Sequence, residues 1–464
     1  MLKESINAII DAGMEHLIAD LQRLIRQPSI SAKNEGINDC ANLVAHIMER
    51  AGIHSEVLTL DTRASGKIDI PPVVFGEVRP KINANSRTLL FYNHYDVQPV
   101  DPVELWEEDP FSGKVEGEII CGRGSADDKG ELITRIKAVE FLLKKYGDVP
   151  CNIKFVVEGE EEIGSAHIEK YLLKYKHKFG AHGVIWEFGY VDNNSRPIIS
   201  LGMKGLLYVE LVAKGPTRDV HSSLAVVIEN PAWRLVKALS SLRSESGEIL
   251  IEDWYKEVRQ VTLEELELIS REPFDEQEFR DQYGLEGLLN NIQGVEVNKA
   301  LVGMPTCNIA GFVAGYTGEG SKTILPSSAL AKVDFRLVPD MEPKTQFNRL
   351  KAHLRRNGFG DLVEVRFIHG EPAYRTPVNN SLVKLVESSA AQAFGTDPII
   401  SVSSSGTGPM HSFSTILSAP CVSVGSTYVF SRIHSPNEFA RIDFLNKATK
   451  CVVNIIERFG SVKE

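Results

Sequence analysis

The chain has 464 residues, of which 43% are hydrophobic and 24% are charged. Its 62 acidic side chains outnumber the 51 basic ones, and the formal net charge of −11 is a poor electrostatic match for nucleic acid or an anionic membrane surface. The length predicts two or three domains, and no run approaches the roughly 18 apolar residues that span a bilayer.

The cysteines and the first segment of the chain indicate a cytoplasmic protein. None of the six cysteines has CxxC or CxxxC spacing, so neither a disulfide framework nor a thiolate zinc site is indicated. In residues 1–29 the charges alternate with apolar residues at helical spacing, unlike the uninterrupted apolar core of a signal peptide. We therefore expect reduced thiols and a cytoplasmic location.

Strands and helices alternate through the first part of the chain. After a helix within residues 1–29 and a second at 38–52, apolar and β-branched runs predict strands at 54–60, 73–78, 88–92, 152–157 and 183–186, with an amphipathic helix at 131–146. Strands that alternate with helices predict an α/β sheet covered on both faces.

The pattern changes at about residue 205. The next elements are a strand at 206–213, a helix at 231–242, strands at 308–314 and 329–337, a helix at 343–356 and a strand at 362–368. This β-α-β-β-α-β order predicts a ferredoxin-like domain at 205–371. It is inserted into a discontinuous α/β domain formed by residues 1–204 and 372–464, whose second part has helices at 381–394 and 444–459.

An acidic stretch interrupts the inserted domain. Residues 244–295 hold 14 acidic and 4 basic side chains, and so carry nearly the whole net charge of the protein. Aromatic and leucine residues recur within the stretch, which predicts amphipathic helix rather than a disordered tail. The rest of the chain is close to neutral.

Histidines and carboxylates occur where apolar strands end. His94 and Asp96 follow the run 89–92, and in extended chain two residues separated by one share a face. A carboxylate that orients a histidine is typical of a metal site. A surface turn or a capping aspartate is the alternative for this pair taken alone.

Four more segments carry histidine or carboxylate side chains in similar positions. The glycine-rich turn 122–130 contains Asp127, which would either cap the next helix or bridge two cations. The strand at 153–157 leads into four glutamates at 158 and 160–162. A bound cation would relieve the repulsion between their charges. A solvated turn is the usual explanation for such a run of charges. Glu187 follows the strand at 183–186, and His434 lies in a loop after residues 422–424.

Together these motifs resemble a known family. NHYDVQP, GRGSADDKG, EGEEEIGS and IHSPNE, in this order around an inserted domain, resemble the signatures of the M20 family of metallopeptidases and deacylases. The resemblance covers essentially the whole chain, including DVHSS, PTCNIAG, TILP and FRLVPDM, and is closest to the cytosolic dipeptidase and carnosinase-like branch. It implies a zinc-peptidase-like α/β catalytic domain whose insert is a lid and dimerisation domain.

The resemblance also implies a centre for two divalent ions, zinc or alternatively manganese or cobalt. His94 and Glu187 match the ligands of one ion, Glu162 and His434 match those of the other, and Asp127 matches the ligand that bridges both. Asp96 matches the carboxylate that orients His94, and Glu161 matches the general base. In the family the peptide bond between Asp127 and Asp128 is cis.

The inserted domain contributes the residues implied for substrate. His221 matches a histidine that reaches the active site of the partner subunit in a homodimer. Arg336 matches an arginine that binds a substrate carboxylate, and Gly406 and Thr407 match a loop that holds substrate. The implied reaction is hydrolysis of the amide bond of a dipeptide or similar small peptide with a free C-terminal carboxylate.

Two alternatives stay open. The dipeptidase branch usually has aspartate where this chain has Glu187, which keeps an N-acyl-amino-acid deacylase or a carboxypeptidase of the same family as an alternative. The alternative from another class is a non-catalytic binding protein on the same scaffold. Such a protein would be expected to have lost a ligand or the base, and none is visibly missing from the sequence.

Overall fold

The computed structural model describes residues 5–60, 70–82 and 86–461. The chain divides into two units, the first formed by residues up to 202 with 376–402 and 412 onward, and the second by residues 203–375 and 403–411. These boundaries lie within four residues of 204/205 and 371/372, but residues 403–411 belong to the second unit and not to the resumed first domain. None of the helices in the described residues is long and apolar enough to cross a bilayer.

Helices and strands of both units are numbered in chain order. The helices are α1 (Ile6–Arg26), α2 (Ile37–Arg50), α3 (Lys129–Tyr146), α4 (Ile168–Lys174), α5 (Lys176–Phe179), α6 (Pro231–Ser240), α7 (Leu263–Arg271), α8 (Glu276–Tyr283), α9 (Val295–Gly303), α10 (Pro343–Arg356), α11 (Ser381–Phe394), α12 (Met410–Leu417) and α13 (Ile442–Ser461). The strands are β1 (His54–Leu58), β2 (Val73–Val78), β3 (Thr88–His94), β4 (Lys114–Glu116), β5 (Ile119–Cys121), β6 (Asn152–Glu158), β7 (Gly183–Trp186), β8 (Tyr190–Val191), β9 (Ile198–Ser200), β10 (Gly202–Met203), β11 (Gly205–Lys214), β12 (Val220–His221), β13 (Asn308–Ala314), β14 (Ile324–Leu325), β15 (Ser328–Leu337), β16 (Val363–Glu371), β17 (Tyr374–Arg375), β18 (Ile399–Ser401), β19 (Cys421–Ser423), β20 (Thr427–Tyr428) and β21 (Phe439–Arg441).

The first unit is built on an eight-stranded mixed sheet, which confirms the predicted α/β class. The strand order is β1-β2-β6-β3-β7-β19-β9-β18. The four central strands β6, β3, β7 and β19 run parallel, so their carboxyl ends lie at one edge of the sheet. In open α/β sheets this edge is where ligands bind.

The central strands are apolar because both faces of the sheet are covered. Every residue of β3 is buried, as expected for a parallel strand between two helical layers. The ring of Tyr92 stacks on that of Trp186 in the neighbouring strand, with centroids 4.1 Å apart. Helices α1 and α3 approach closely at Gly13, where a Cβ atom would lie 2.3 Å from the ring of Phe141.

The second unit is a four-stranded antiparallel sheet covered by helices. The strand order is β13-β15-β11-β16, and in the chain its elements follow as β11, α6, β13, β15, α10 and β16. Alternate residues of the two central strands are buried under α6 and α10, among them Val209 and Phe335. The acidic stretch contains α7 and α8 and ends where α9 begins, and its Trp254 packs on Phe335 with ring centroids 4.7 Å apart.

A buried arginine joins the strand ends of the first unit. Arg135 of α3 has no exposed surface. Its Nη1 donates to the backbone oxygen of Tyr92 at 2.7 Å, and its Nη2 donates to that of Trp186 at 2.5 Å, to that of Glu187, and to that of Val424 at 3.4 Å. One guanidinium therefore holds together β3, β7 and the segment that follows β19. We call this arrangement the Arg135 clamp.

Replacing Arg135 with methionine should lower the free energy of unfolding by about 3 kcal/mol, because several buried carbonyl groups lose their donor. Urea unfolding followed by tryptophan fluorescence measures the change. The matched control is Arg79→Met, whose side chain is 69% exposed and paired with Glu77, and which should shift stability by no more than about 0.5 kcal/mol. Equal effects of the two variants would contradict a special role for the clamp.

Candidate metal centre

The carboxyl edge of the first sheet gathers the predicted metal ligands. Asp127 directs one carboxylate oxygen toward each of two histidines: Oδ1 lies 3.1 Å from Nε2 of His94, and Oδ2 lies 3.0 Å from Nε2 of His434. Each histidine has a second carboxylate beside it. Oε2 of Glu187 is 4.0 Å from the first ring nitrogen, and Oε2 of Glu162 is 3.2 Å from the second. The five side chains thus form two groups that share Asp127.

The donor atoms fit divalent cations. Oε1 of Glu187 accepts a hydrogen bond from the Trp186 indole at 3.2 Å, whereas its buried Oε2 accepts none from the described residues. Ligand atoms of His94, Asp127 and Glu162 lie within 4.8 Å of one another. Zinc bonds of about 2.0 Å in a tetrahedral site hold ligand atoms about 3.3 Å apart. Imidazole nitrogens with carboxylate oxygens also suit manganese and cobalt.

The electrostatics of the cluster favour a cation. Burial raises the pKa of the Glu161 and Glu162 carboxyl groups, and the charges of Glu187 and Asp127 respectively raise them further. Hydrogen bonds to Asp127 and Glu162 raise the pKa of His434 to about 10. Despite burial, hydrogen bonds from the two histidines hold the pKa of Asp127 well below its usual range. The site therefore concentrates negative charge that two imidazoles offset only in part, and a divalent cation would relieve this repulsion.

Asp96 orients residues of two motifs at once. This carboxylate is completely buried, and its two oxygens accept hydrogen bonds from the backbone N–H groups of Glu161 and Glu162, both at 3.1 Å. Nδ1 of His94 lies 3.0 Å from the backbone oxygen of Asp96 and 3.4 Å from its Oδ1. Asp96 therefore fixes the ring of one metal-ligand candidate and the backbone of the adjacent glutamate pair.

The other two glutamates of the acidic motif have structural partners. Oε1 of Glu158 accepts hydrogen bonds from the Tyr92 hydroxyl at 2.6 Å and from the Ser165 hydroxyl at 3.0 Å. Glu160 accepts from the backbone N–H of His167 at 2.7 Å and lies 2.9 Å from its ring nitrogen. These contacts distinguish the two residues from Glu161 and Glu162.

Residues outside the predicted site contact the same cluster. Nε2 of Gln98 donates to Oε2 of Glu162 at 2.8 Å. Asp128 is joined to Asp127 by a cis peptide bond, and its Oδ2 accepts from the backbone N–H of His94 at 3.1 Å. Glu438 accepts from the backbone N–H of Asp127 at 3.1 Å. These residues lie in three of the four sequence motifs, so the motifs could have indicated them. Only the structure shows which atoms they contact.

The remaining predicted site residues belong to the second unit. Nη1 of Arg336 donates to Oγ1 of Thr407 at 2.7 Å, and the backbone oxygen of Gly406 accepts from the N–H of Lys204 at 3.0 Å. The structure thus brings Arg336 together with the 403–411 segment. His221 is exposed at the end of β12, and its Nδ1 lies 2.8 Å from the hydroxyl of Ser223.

Comparisons with known proteins agree with this geometry. A family model described as peptidase family M20/M25/M40 matches residues 90–458. The chain is 30% identical to human Beta-Ala-His dipeptidase over 340 residues, which are 71% of this chain and 66% of that protein. It is 27% identical to Cys-Gly metallodipeptidase dug1 of Schizosaccharomyces pombe over 364 residues, 76% of each protein.

Solved structures show the same similarity. An M20 family metallo-carboxypeptidase from Sulfolobus solfataricus superposes with a TM-score of 0.89 at 40% sequence identity, covering 96% of this chain and 99% of that one. Human carnosine dipeptidase 1 superposes with a TM-score of 0.83 at 25% identity, covering 98% of this chain and 99% of that one.

Proposed function

Because this chain belongs to peptidase family M20/M25/M40, we propose that it is a metal-dependent hydrolase that cleaves the amide bond of dipeptides or similar small peptides with a free C-terminal carboxylate. The observation that carries the proposal is Asp127, with one oxygen toward each of two histidines that both lie beside a further carboxylate. The dipeptidases among the relatives support the substrate class.

We propose that the centre holds two divalent ions, zinc in preference to manganese or cobalt. His94 and Glu187 would hold one ion, His434 and Glu162 would hold the other, and Asp127 would contact both. Bound divalent ions supply Lewis acidity, which polarises a carbonyl group and lowers the pKa of water.

Glu161 is the proposed general base. Its carboxylate would take a proton from the water that attacks the scissile carbonyl carbon, and would then give that proton to the leaving amine as the C–N bond breaks. The position of Glu161 is fixed through its backbone N–H, which donates to the buried Asp96. Its carboxyl group lies close enough to Glu187 and Glu162 for their charges to raise its pKa.

Residues of the second unit would recognise the substrate. The Arg336 guanidinium, held by Thr407, can donate charge-assisted hydrogen bonds to a C-terminal carboxylate. The loop with Gly406 and Thr407 would line the same subsite. His221 would act from the partner subunit of a homodimer, where an imidazole N–H stabilises the negative charge that develops on the carbonyl oxygen.

A carboxypeptidase or an N-acyl-amino-acid deacylase is the second candidate. Glu187 stands where the dipeptidase branch usually has aspartate, and glutamate is commoner in the carboxypeptidase and aminoacylase branches. The 40% identity to the Sulfolobus carboxypeptidase supports the carboxypeptidase in particular. A non-catalytic binding role has no such support, because the base and all five ligand candidates are present.

We propose an interface for this homodimer within the second unit. The edge strand β13 exposes Ile309 and Val313, with 52% and 63% of their surfaces accessible, and the outer side of α6 exposes Trp233 at 65%. A cavity of about 620 Å³ is lined by residues of both α6 and β13, among them Val236, Ile309 and Phe312. An apolar edge strand with free backbone groups favours pairing with another chain. We call this region the α6–β13 surface.

We also propose a cytoplasmic location, where thiols stay reduced. All six cysteines are free, and four of them are buried: Cys40, Cys151, Cys421 and Cys451. Burial raises the pKa of the Cys151 thiol to about 12, so it stays protonated and unreactive. Reduced, unreactive cysteines of this kind are usual in cytosolic proteins.

Metal removal tests the proposed activity directly. Dialysis against a chelator should abolish hydrolysis, and Zn²⁺ or Mn²⁺ should restore it. The assay compares dipeptides, β-alanyl dipeptides, longer peptides and N-acetyl amino acids. Dipeptides should be the best substrates by kcat/KM, while preference for longer peptides or N-acetyl amino acids would establish the second candidate. Chelator-resistant hydrolysis, or none with any substrate and metal, would overturn the proposal.

Substitution of two adjacent glutamates should show that the chemical step and metal binding depend on different residues. Glu161→Gln should keep the metal content of the wild type but lower kcat by about 10²-fold to 10⁴-fold, as expected for loss of a general base. Glu162→Gln should lower the metal content, which inductively coupled plasma mass spectrometry measures. Equal metal loss in both variants would show that the two roles are assigned wrongly.

Charges on the α6–β13 surface should prevent dimerisation. The double variant Ile309→Lys/Val313→Lys should sediment as a monomer, since lysines block edge-strand pairing, and should lose turnover with the partner's histidine. Leu263→Lys, at a position 85% exposed on α7, is the control and should stay dimeric. His221→Ala should also stay dimeric while losing turnover. A fully active monomer would refute both the interface and the histidine.

A further inference from the structure

Glu438 contacts the turn that carries Asp127 from the loop that carries His434. This carboxylate has no exposed surface. Its Oε1 accepts three backbone hydrogen bonds, from the N–H groups of Gly124 at 3.1 Å, Ala126 at 3.0 Å and Asp127 at 3.1 Å. Three donors that converge on one oxygen fix the path of the turn, and with it the direction in which Asp127 leaves the backbone.

A buried arginine holds the second oxygen of the same carboxylate. Nη1 of Arg123 donates to Oε2 of Glu438 at 2.6 Å, and its Nη2 donates to the backbone oxygen of Pro99 at 3.1 Å. The backbone oxygen of Glu438 also accepts from the N–H of Gly122 at 2.9 Å. The contacts therefore link three segments: the turn 122–127, the loop that follows β3 and the loop of His434.

The chemistry of these contacts requires a carboxylate. One oxygen can accept three N–H donors because it is charged, and charge-assisted hydrogen bonds are shorter and stronger than neutral ones. A buried ion pair has a high desolvation cost and is weak evidence for stability in itself. The position of the Glu438–Arg123 pair indicates a role other than stability, because all three N–H donors to Glu438 belong to the turn that carries Asp127.

We propose that Glu438 is a positioning residue of the metal centre, which holds Asp127 in register with His434 and thereby sets the affinity of the site for divalent cations. The inference rests on the metal centre of the proposed function. Loss of residues that orient ligands typically lowers metal affinity about 10-fold to 100-fold. Glu438 would act on the centre through the backbone, without contacting the ion.

The test is Zn²⁺ affinity of the full-length Glu438→Gln variant, measured by competition with a chromophoric chelator after metal removal. The amide keeps the size of the side chain, but its oxygen is uncharged and its NH₂ group faces Arg123. We expect the metal-free variant to fold by circular dichroism and to bind Zn²⁺ about 10-fold to 100-fold more weakly than wild type. Zn²⁺ should also raise the Tm of the variant less than that of wild type.

A matched control separates positioning from general stability. Asp20 is also a nearly buried carboxylate of the first unit, and it pairs with Lys137 of α3 at 2.7 Å and Arg50 of α2 at 3.3 Å rather than with a ligand turn. Asp20→Asn should lower the Tm of the metal-free protein and leave Zn²⁺ affinity unchanged. Equal affinity losses in the two variants would overturn the inference, as would wild-type affinity in a folded Glu438→Gln variant.

A second variant tests the inference if Glu438→Gln does not fold. If Glu438→Gln is insoluble, Glu438→Asp decides by the same criterion, because it keeps a negative charge beside Arg123 but shortens the side chain that reaches the three backbone donors. A loss of Zn²⁺ affinity would support the inference, and unchanged affinity would overturn it. Failure of wild type to bind Zn²⁺ or Mn²⁺ would instead refute the proposed function.

Discussion

The hydrogen bonds of Arg135 to the ends of the parallel strands are the constraint on which the site depends. Parallel strands end with carbonyl groups that have no partner in the sheet, and in this fold those ends are buried. One guanidinium satisfies carbonyl groups on β3, on the β7 end and after β19. Its rigid, planar arrangement of donors fixes the spacing of these ends, so the side chains that follow them begin from fixed positions.

Three of the five metal-ligand candidates are each contacted by a different polar group outside the set of ligands. Asp96 fixes His94 and the backbone of the glutamate pair, Gln98 contacts Glu162, and the Trp186 indole occupies one oxygen of Glu187. In Glu187 the oxygen without a donor among the described residues, Oε2, is the one nearest His94, whereas Oε2 of Glu162 both accepts from Gln98 and lies beside His434. Such preorganisation reduces the ordering that a cation must impose when it binds, which is how supporting residues raise affinity.

Local sequence signals predicted most of the fold, and the motifs predicted the members of the site. Apolar runs and helical periodicity indicated strands such as β2 and β7 and helices such as α10 and α11, because burial on one or two faces leaves a periodic pattern. Charge repulsion alone could not separate Glu158 and Glu160 from Glu161 and Glu162, since the difference is made by Tyr92 and His167, which contact the first two. Residues 403–411 join the second unit through contacts that are distant in the sequence, such as those of Thr407 with Arg336 and of Gly406 with Lys204, and the local pattern holds no signal for them.

The discontinuity of both units has a consequence for synthesis on the ribosome. Strand β19 lies between β7 and β9 in the first sheet, yet it is translated more than 200 residues after them. Residues 403–411 complete the second unit only after all of its sheet strands have been made. The second unit therefore waits for residue 411 and the first for β19, and the edges of β7 and β9 stay unpaired until about nine-tenths of the chain has been made. Such delayed, non-local closure is slow and leaves unpaired sheet edges exposed to other chains during synthesis.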